Sequence, residues 1–278
     1  MDASRDSKLP KDRRQFLSVL GTLSHKIRDR GTCTVLVLGG SRDDLHDLLQ
    51  LGFRNITLSN LVPADLDTGA GHGIRRLAID GEDIAVVDSA YDLVFAHEVL
   101  HHCRSPHRTL CEMLRVSRRH IAFLEPNDSV LMRLLVKMRF SFPYETTAVV
   151  AHDCCAGGLR DSAVPNYIYR WNENEVSKTV SSFLAERTFS VRAYPYWDFN
   201  VDERAFARRK LTKLPLITAV TGARNLLLAL RFWQGLLNRT PLRRQGNKFF
   251  CWIEKHSELK PWLLLEQNQV VFNRGQYG

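Results

Sequence analysis

The sequence lacks any cysteine arrangement typical of a metal site. The 278 residues include six cysteines, which form neither a Cys-x-x-Cys pair nor a Cys/His series with zinc spacing. Cys154 and Cys155 are neighbours in the chain and are poorly placed to form a disulfide with each other. We therefore expect reduced thiols, a cytoplasmic location and no metal site.

Long hydrophobic runs are also absent. Residues 1–16 are highly charged and contain no apolar core of a signal peptide. The most apolar long stretch, residues 214–237, is interrupted by Arg224 and Arg231 and lacks the ~20 uninterrupted apolar residues of a membrane-spanning helix. The sequence has no internal repeat and no low-complexity tract. These absences predict a soluble protein.

Composition and charge are those of a basic globular protein. Hydrophobic residues make up 44% and charged residues 25% of the chain, which excludes collagen-like, coiled-coil and wholly disordered classes. Lys and Arg outnumber Asp and Glu by 39 to 30, a net charge of +9, which leaves nucleic acid or an anionic membrane open as a partner. Two basic clusters lie in the C-terminal third: Arg204, Arg208, Arg209, Lys210 and Lys213, then Arg239, Arg243, Arg244 and Lys248.

The hydrophobic pattern up to residue 127 alternates between helices and strands. Apolar residues at helical spacing predict an amphipathic lead-in helix within residues 11–30. Short apolar runs and helical segments then follow each other, which is typical of βαβ units around a parallel sheet. The predicted strands are 34–38, 55–59, 75–79, 91–96 and 120–125, and the predicted helices are 43–50 and 106–116.

The second half of the chain has a looser rhythm. The pattern predicts helices at 130–138, 172–183 and 216–237, strands at 188–194 and 248–254, and loops over much of 139–170. The two long connections, 127–187 and 197–247, exceed what compact α/β units need, so we interpret them as lid or substrate-binding insertions. The predicted segments are a lead-in at 1–30, a core at 31–127, a lid insertion at 128–187, and C-terminal core strands at 188–278 that carry a helical insertion at about 197–247.

Small and polar residues follow four of the predicted strands. Because the carboxyl ends of parallel strands meet at one edge of the sheet, these residues are expected to share a crevice where the strand order reverses. The four strand ends are Gly-Gly-Ser-Arg-Asp-Asp at 39–44, Ser-Asn at 59–60, Asp-Gly-Glu-Asp at 80–83 and Ala-His-Glu at 96–98.

The ordered series of motifs resembles the class I S-adenosylmethionine-dependent methyltransferases of the small-molecule type. The resemblance covers roughly residues 33–127 and rests on VLVLGG, NITLSN, DGED, YDLV, EVLHH, PHRTL and EPN in that order. It implies a Rossmann-like, doubly wound and mostly parallel seven-stranded sheet with helices on both faces and a helical lid after the fifth strand. It also implies S-adenosylmethionine as the cofactor, whose sulfonium group makes the methyl electrophilic.

The resemblance assigns cofactor-binding residues by position. The glycine turn passes the amino-acid end of the cofactor, the residue ending the second strand holds the ribose hydroxyls, and the aspartate after the third strand faces the adenine amino group. These residues are Gly39, Gly40, Ser41, Asn60, Leu61, Asp80, Gly81, Glu82, Ala96 and His97. The chain departs from the family where a further glycine is replaced within residues 41–43 and where Asn60 replaces the ribose acid. Weaker cofactor binding is expected from both departures.

Two histidines and several residues after the fourth and fifth strands are candidates for the chemistry. His97 or His101 would act as a general base, since imidazole titrates near neutral pH, and the alternative is that they only line the pocket. Metal binding by His97 and His101 lacks a third ligand nearby. The candidate substrate-binding residues are Glu125, Asn127, Tyr144, Tyr167, Tyr169 and Trp171, although the aromatic ones would equally suit a small core of the insertion.

We therefore expect methyl transfer to an O, N or C nucleophile of a small metabolite, natural product or glycan. The alternatives are an RNA or protein methyltransferase, favoured by charge alone, and a methyltransferase-like scaffold that has lost activity. No Asn-Pro-Pro-aromatic signature of amino methylation occurs, which disfavours nucleic acid as the partner. A nicotinamide oxidoreductase is disfavoured because Gly-x-Gly-x-x-Gly is absent. Whether the chain forms a homo-oligomer is left open.

Overall fold

A seven-stranded sheet organises the part of the chain that the computed structural model describes, residues 13–61, 73–199 and 222–277. Across the sheet the strands follow the order β3-β2-β1-β4-β5-β7-β6. Their bounds are β1 (Thr34–Leu38), β2 (Asn55–Asn60), β3 (Ile74–Ala78), β4 (Tyr91–His97), β5 (Ser117–Pro126), β6 (Arg187–Tyr196) and β7 (Lys248–Leu259).

The first five strands are parallel, and β7 runs antiparallel to both β5 and β6. The central strands are buried because they are almost wholly apolar, as in Val35, Leu36, Val37 and Leu38 of β1. Strand order reverses between β1 and β4, so a crevice opens at their carboxyl ends. The expected fold class, a mostly parallel seven-stranded α/β sheet, is confirmed.

Helices cover both faces of this sheet. Leu20 of α1 and Leu48 of α2 belong to the core on one face, while Leu110 of α3 and Val176 of α6 belong to the core on the other face. The helices are α1 (Arg13–Ser24), α2 (Arg42–Gln50), α3 (Pro106–Val116), α4 (Val130–Lys137), α5 (Thr146–Ala151), α6 (Glu173–Phe183), α7 (Ala223–Asn238) and α8 (Arg274–Tyr277). Short 3₁₀ turns occur at Leu100–His102, Leu159–Asp161 and Pro241–Gln245.

The structure differs from the sequence-based expectation in two places. Helix α5 lies in a stretch that was expected to be loop, and a hairpin of β8 (Leu263–Glu266) and β9 (Gln269–Phe272) was not expected. The hairpin turns at Gln267 and Asn268, which have φ of 47° and 64° without the glycine that marks most such turns. Part of the helix expected at 216–237 corresponds to α7, which begins at Ala223. Residues 216–221 of that expectation lie outside the described residues, as does the basic cluster at 204–213.

The division of the chain into four segments stays a prediction, and β6, which begins at Arg187, crosses the boundary predicted after residue 187. Helices α4, α5 and α6 lie between β5 and β6, and α7 lies between β6 and β7. Of the helices in the described ranges, none has the length and apolar character required to cross a bilayer.

Candidate active site

A cavity of about 450 Å³, called the first cavity, lies at the carboxyl ends of β1 to β4. It brings together most of the residues expected to bind the cofactor: Gly39, Asn60, Leu61, Asp80, Gly81, Glu82 and His97. Its remaining wall includes residues from the segment after β5, among them His152, Gly158 and Arg160. Gly40 and Ala96 are buried and do not line the cavity.

The turn after β1 requires glycine because the chain passes close to Val99. Gly39 has φ of +57°, and a Cβ atom at this position would lie 2.4 Å from Cγ2 of Val99. Ser41, which was expected to bind the cofactor, does not line the cavity but caps α2. Its hydroxyl accepts from the backbone of Asp44, and the Asp44 carboxylate accepts from the backbone N–H of Ser41 at 2.9 Å. This reciprocal capping box satisfies backbone N–H groups at the N-terminus of α2 and so fixes where the helix begins.

Two carboxylates after β3 are held by a cation from the segment after β5. Arg160 donates to Asp80 Oδ2 at 2.8 Å and to Glu82 Oε2 at 3.1 Å. Burial raises the pKa of Asp80, but hydrogen bonds from the Glu82 backbone and from Arg160 outweigh it and hold that pKa below its usual value. Glu82 also accepts the backbone N–H groups of Arg104 and Ser105 at the start of α3. Asp80 is thus an ionised acceptor at the edge of the first cavity.

His97 lines the first cavity and is oriented by a carboxylate. Its Nδ1 lies 2.8 Å from Oδ1 of Asp44, which is nearly buried, and its ring stacks on Phe16 with centroids 4.8 Å apart. When Nδ1 carries the proton, it donates a hydrogen bond to Asp44, and Nε2 is the basic nitrogen. Asp44 therefore joins the cap of α2 to the ring of His97.

Glu125, expected at the substrate, instead fixes the chain that follows β4. Its carboxylate is fully buried and accepts the backbone N–H groups of Val99 at 2.8 Å and Leu100 at 2.7 Å. Its other oxygen lies 2.5 Å from Nδ1 of His101, and Nε2 of His101 lies 3.0 Å from Oε2 of Glu145. Both ring nitrogens of His101 are thus bound to carboxylates.

The pKa values of the neighbouring residues His101 and His102 are shifted in opposite directions. Burial lowers the pKa of His101, but the charges and hydrogen bonds of Glu125 and Glu145 outweigh it and raise the pKa to about 10. Burial and the charge on His101 hold the pKa of His102 below its usual value. His101 is therefore an imidazolium at neutral pH, which does not suit the general-base role considered for it.

A second cavity of about 530 Å³ lies beside the first, between β5, α4 and α7. Glu98 lines both cavities and has the left-handed φ of +56°, which is strained for a residue other than glycine. Its carboxylate forms an ion pair with Lys248. Apolar side chains form much of the wall of this second cavity: Met132, Leu135, Phe140, Phe142, Ile168, Trp197, Phe199, Leu226 and Leu230.

The structure does not place the expected substrate residues in either cavity. Asn127 is buried and donates to the carbonyl of Gly246 at 2.7 Å, so its side chain holds the loop before β7. Trp171 is fully buried in the core over α3 and α6. Tyr169 contacts His107 and Glu175 near that core, while Tyr144 and Tyr167 pack edge to face and remain exposed. These contacts are structural, and a role of these residues or of Glu125 toward a substrate stays a prediction.

Four polar residues with contacts at the cavities were missed as site residues from sequence. Asp44 had a local signal, because Ser-x-x-Asp before a helix is a variant of the capping box. Glu98 belongs to a strand end that was expected at the crevice. Glu145 and Arg160 had no signal, since their partners lie 44 and about 80 residues away in the chain.

Comparisons with known proteins agree with this geometry. Residues 39–123 match the family model described as a methyltransferase domain. The search of curated proteins gave no match.

Two solved structures are similar in fold. The YcgJ protein from Bacillus subtilis has 8% identity and a TM-score of 0.53, with 88% of this chain and 99% of that chain covered. An S-adenosylmethionine dependent methyltransferase from Mesorhizobium loti has 11% identity and a TM-score of 0.50, with coverage of 88% and 98%. The chain therefore carries a match to a methyltransferase domain over residues 39–123, and this domain implies S-adenosylmethionine as the cofactor.

Proposed function

We propose that the protein transfers the methyl group of S-adenosylmethionine to a small metabolite, natural product or glycan that binds in the second cavity. The observation that carries this proposal is the position of Glu98, which borders both cavities at the end of β4. A cofactor in the first cavity would thus lie next to an acceptor in the second. A cavity of about 530 Å³ has the size of a small-molecule site.

Residues of the first cavity would bind the cofactor by the chemistry of their side chains. The ionised carboxylate of Asp80 is a suitable acceptor for the exocyclic amine of adenine. Asn60 would donate one hydrogen bond to the ribose and accept one from it. For Asp80 to accept from the adenine, its hydrogen bond with Arg160 would have to give way to one from the ligand.

His97 is the better candidate for a proton acceptor, and His101 is better suited to position its neighbours. The Asp44 carboxylate orients the His97 ring, which is the arrangement that general bases use. His101 already carries its proton between two carboxylates. We propose that His101, with Glu125, keeps the segment after β4 in the shape that forms the wall between the cavities.

The acceptor class is tested by transfer of label from methyl-tritiated S-adenosylmethionine. The purified protein is incubated separately with a panel of small phenols, carboxylic acids, amines and sugars, with total RNA, and with a protein mixture. Label in the small compounds is the expected result. Label in RNA or protein alone would refute the proposal and favour the corresponding macromolecular methyltransferase.

The second cavity is tested by filling it from α4. Leu135→Trp places a larger side chain in the wall of the cavity, so methyl transfer should fall while the Kd for S-adenosylmethionine stays unchanged. Leu134→Trp is the matched control, because Leu134 is adjacent in the chain and exposed. Equal activity in the two variants would show that the acceptor binds elsewhere.

His97 is tested by substitution with glutamine. If it accepts the proton, His97→Gln should lower kcat by roughly 10²–10⁴-fold and remove the acid limb of the pH–rate profile. Asp44→Asn should lower kcat less, because the imidazole remains. Its orientation is weakened, as is the capping of α2 by the same carboxylate, so circular dichroism checks the fold of this variant. An unchanged acid limb in His97→Gln would assign the proton to another group.

A further inference from the structure

A cluster of two histidines and one glutamate lies at the boundary between the two cavities. His101 and His102 come from the 3₁₀ turn after β4, and Glu145 directly precedes α5. One oxygen, Oε2 of Glu145, lies 3.0 Å from Nε2 of His101 and 3.5 Å from Nε2 of His102. We propose that His101, His102 and Glu145 bind one divalent transition-metal ion.

Both imidazole rings are oriented as metal-binding histidines are. Nδ1 of His101 is hydrogen-bonded to the buried carboxylate of Glu125, and Nδ1 of His102 lies 3.2 Å from the backbone carbonyl of Gly158. Metal ligands of this type donate their second N–H to a carboxylate or a carbonyl, which fixes the tautomer. The Nε2 atoms of both rings are thereby left to meet the same oxygen of Glu145.

The spacing of the donor atoms fits the coordination sphere of such an ion. With metal–ligand bonds of about 2.1 Å, neighbouring ligand atoms lie about 3.0 Å apart in octahedral and about 3.4 Å apart in tetrahedral geometry. The two distances from Oε2 of Glu145 are 3.0 and 3.5 Å, and all three donor atoms lie within 4.8 Å of one another. Small side-chain movements would therefore be enough to admit the ion.

The charges and the donor types also favour a transition metal. Glu125 and Glu145 place two carboxylates against the one ring of His101, so a divalent cation bound at this ring would be balanced by two negative charges. Two imidazoles and one carboxylate suit zinc, iron, cobalt or manganese, whereas magnesium and calcium prefer oxygen ligands. The proposed site differs from the pair of His97 and His101 considered from sequence, because His102 takes the place of His97. Glu145, 44 residues beyond His101 in the chain, supplies the third ligand.

The position of the cluster gives the ion a role that rests on the proposed function. His102 lines the first cavity, while His101 and Glu145 line the second. Three protein ligands leave coordination positions for a further molecule. An acceptor that presents a hydroxyl or carboxylate oxygen would bind there, so the inference narrows the substrate class to oxygen-bearing compounds.

The site is tested on the untagged protein after treatment with a chelator and removal of the chelator. Titration with Zn²⁺, followed by elemental analysis, should give one ion per chain, and Co²⁺ should produce the visible absorption bands of a bound ion. His102→Gln and Glu145→Gln should each weaken binding of Zn²⁺ by at least about 100-fold, and Glu125→Gln by about 10–100-fold. Circular dichroism checks that each variant is folded.

The matched control is His107→Gln, because His107 also pairs with a glutamate, Glu175 at 3.3 Å, but outside both cavities. It should leave Zn²⁺ binding unchanged. Absence of stoichiometric binding in the unaltered protein would overturn the proposal, as would binding that survives in both His102→Gln and Glu145→Gln. Separate titration with S-adenosylmethionine distinguishes the two ideas, since cofactor binding reports the first cavity whether or not the metal site exists.

Discussion

The close approach of the glycine turn to Val99 can be tested by a double-mutant cycle. In Gly39→Ala, the left-handed φ of +57° costs about 1–2 kcal/mol, and the contact of 2.4 Å with Val99 adds about 1–3 kcal/mol. Val99→Ala alone should cost about 1–2 kcal/mol, because it removes two methyl groups from a half-buried side chain. In the double variant the clash disappears, so the free energy of unfolding should exceed the additive value by about 1–3 kcal/mol.

The assay is urea unfolding followed by fluorescence of the chain's tryptophans, with S-adenosylmethionine titrations of the folded proteins. Gly39→Ala should also weaken cofactor binding, since Val99 lines the first cavity, and the double variant should recover part of it. Gly52→Ala is the control, because Gly52 has φ of +93° but nothing within 4 Å of its added Cβ. It should show strain and no coupling to Val99→Ala. Additivity within about 0.5 kcal/mol for Gly39→Ala and Val99→Ala would refute the proposed contact.

Two further predictions concern the cofactor and the stability of the fold. Asp80→Ala should weaken S-adenosylmethionine binding about 10–100-fold without unfolding the protein. Asp83→Ala is the control, because Asp83 is exposed, and it should leave the affinity unchanged. Unchanged affinity in Asp80→Ala would remove the assignment of Asp80 to the adenine. Burial lowers the pKa of His120 from 6.5 to about 4. Between these pH values the unfolded chain binds one proton more than the folded chain, so the free energy of unfolding falls as the pH falls through this range. The expected loss at pH 5 is roughly 2 kcal/mol. Urea unfolding at pH 7.5 and pH 5 should show this loss diminished in His120→Gln but not in the exposed His46→Gln, and equal losses in both variants would contradict it.

The sheet could be predicted from sequence because its strands are short, continuous apolar runs. Val35 to Leu38 and Leu93 to Ala96 have no polar side chain, so their burial on both faces follows from composition. The parallel topology then brought the strand ends together, which is why Asn60, Asp80 and His97 were expected at one cavity and are found there.

The contacts of the site could not be predicted where they depend on distant segments. Glu125 was expected to face a substrate because it ends a strand, but buried backbone N–H groups of Val99 and Leu100 bind it instead. Aromatic residues such as Trp171 suit both a binding wall and a core, and only the packing of α3 and α6 decided between them. Arg160 lies in a segment without periodicity, so nothing in the sequence pointed to its partners.

The left-handed backbone conformation of Glu98 costs folding free energy, although its side chain lies between the two cavities. A glycine there would adopt the φ of +56° without steric conflict, so Glu98→Gly would relieve roughly 1 kcal/mol of strain. The same substitution would remove the carboxylate between the cavities and its ion pair with Lys248. Thermal stability at this position therefore depends on the relieved strain against the lost ion pair, whereas selection for methyl transfer would keep the side chain.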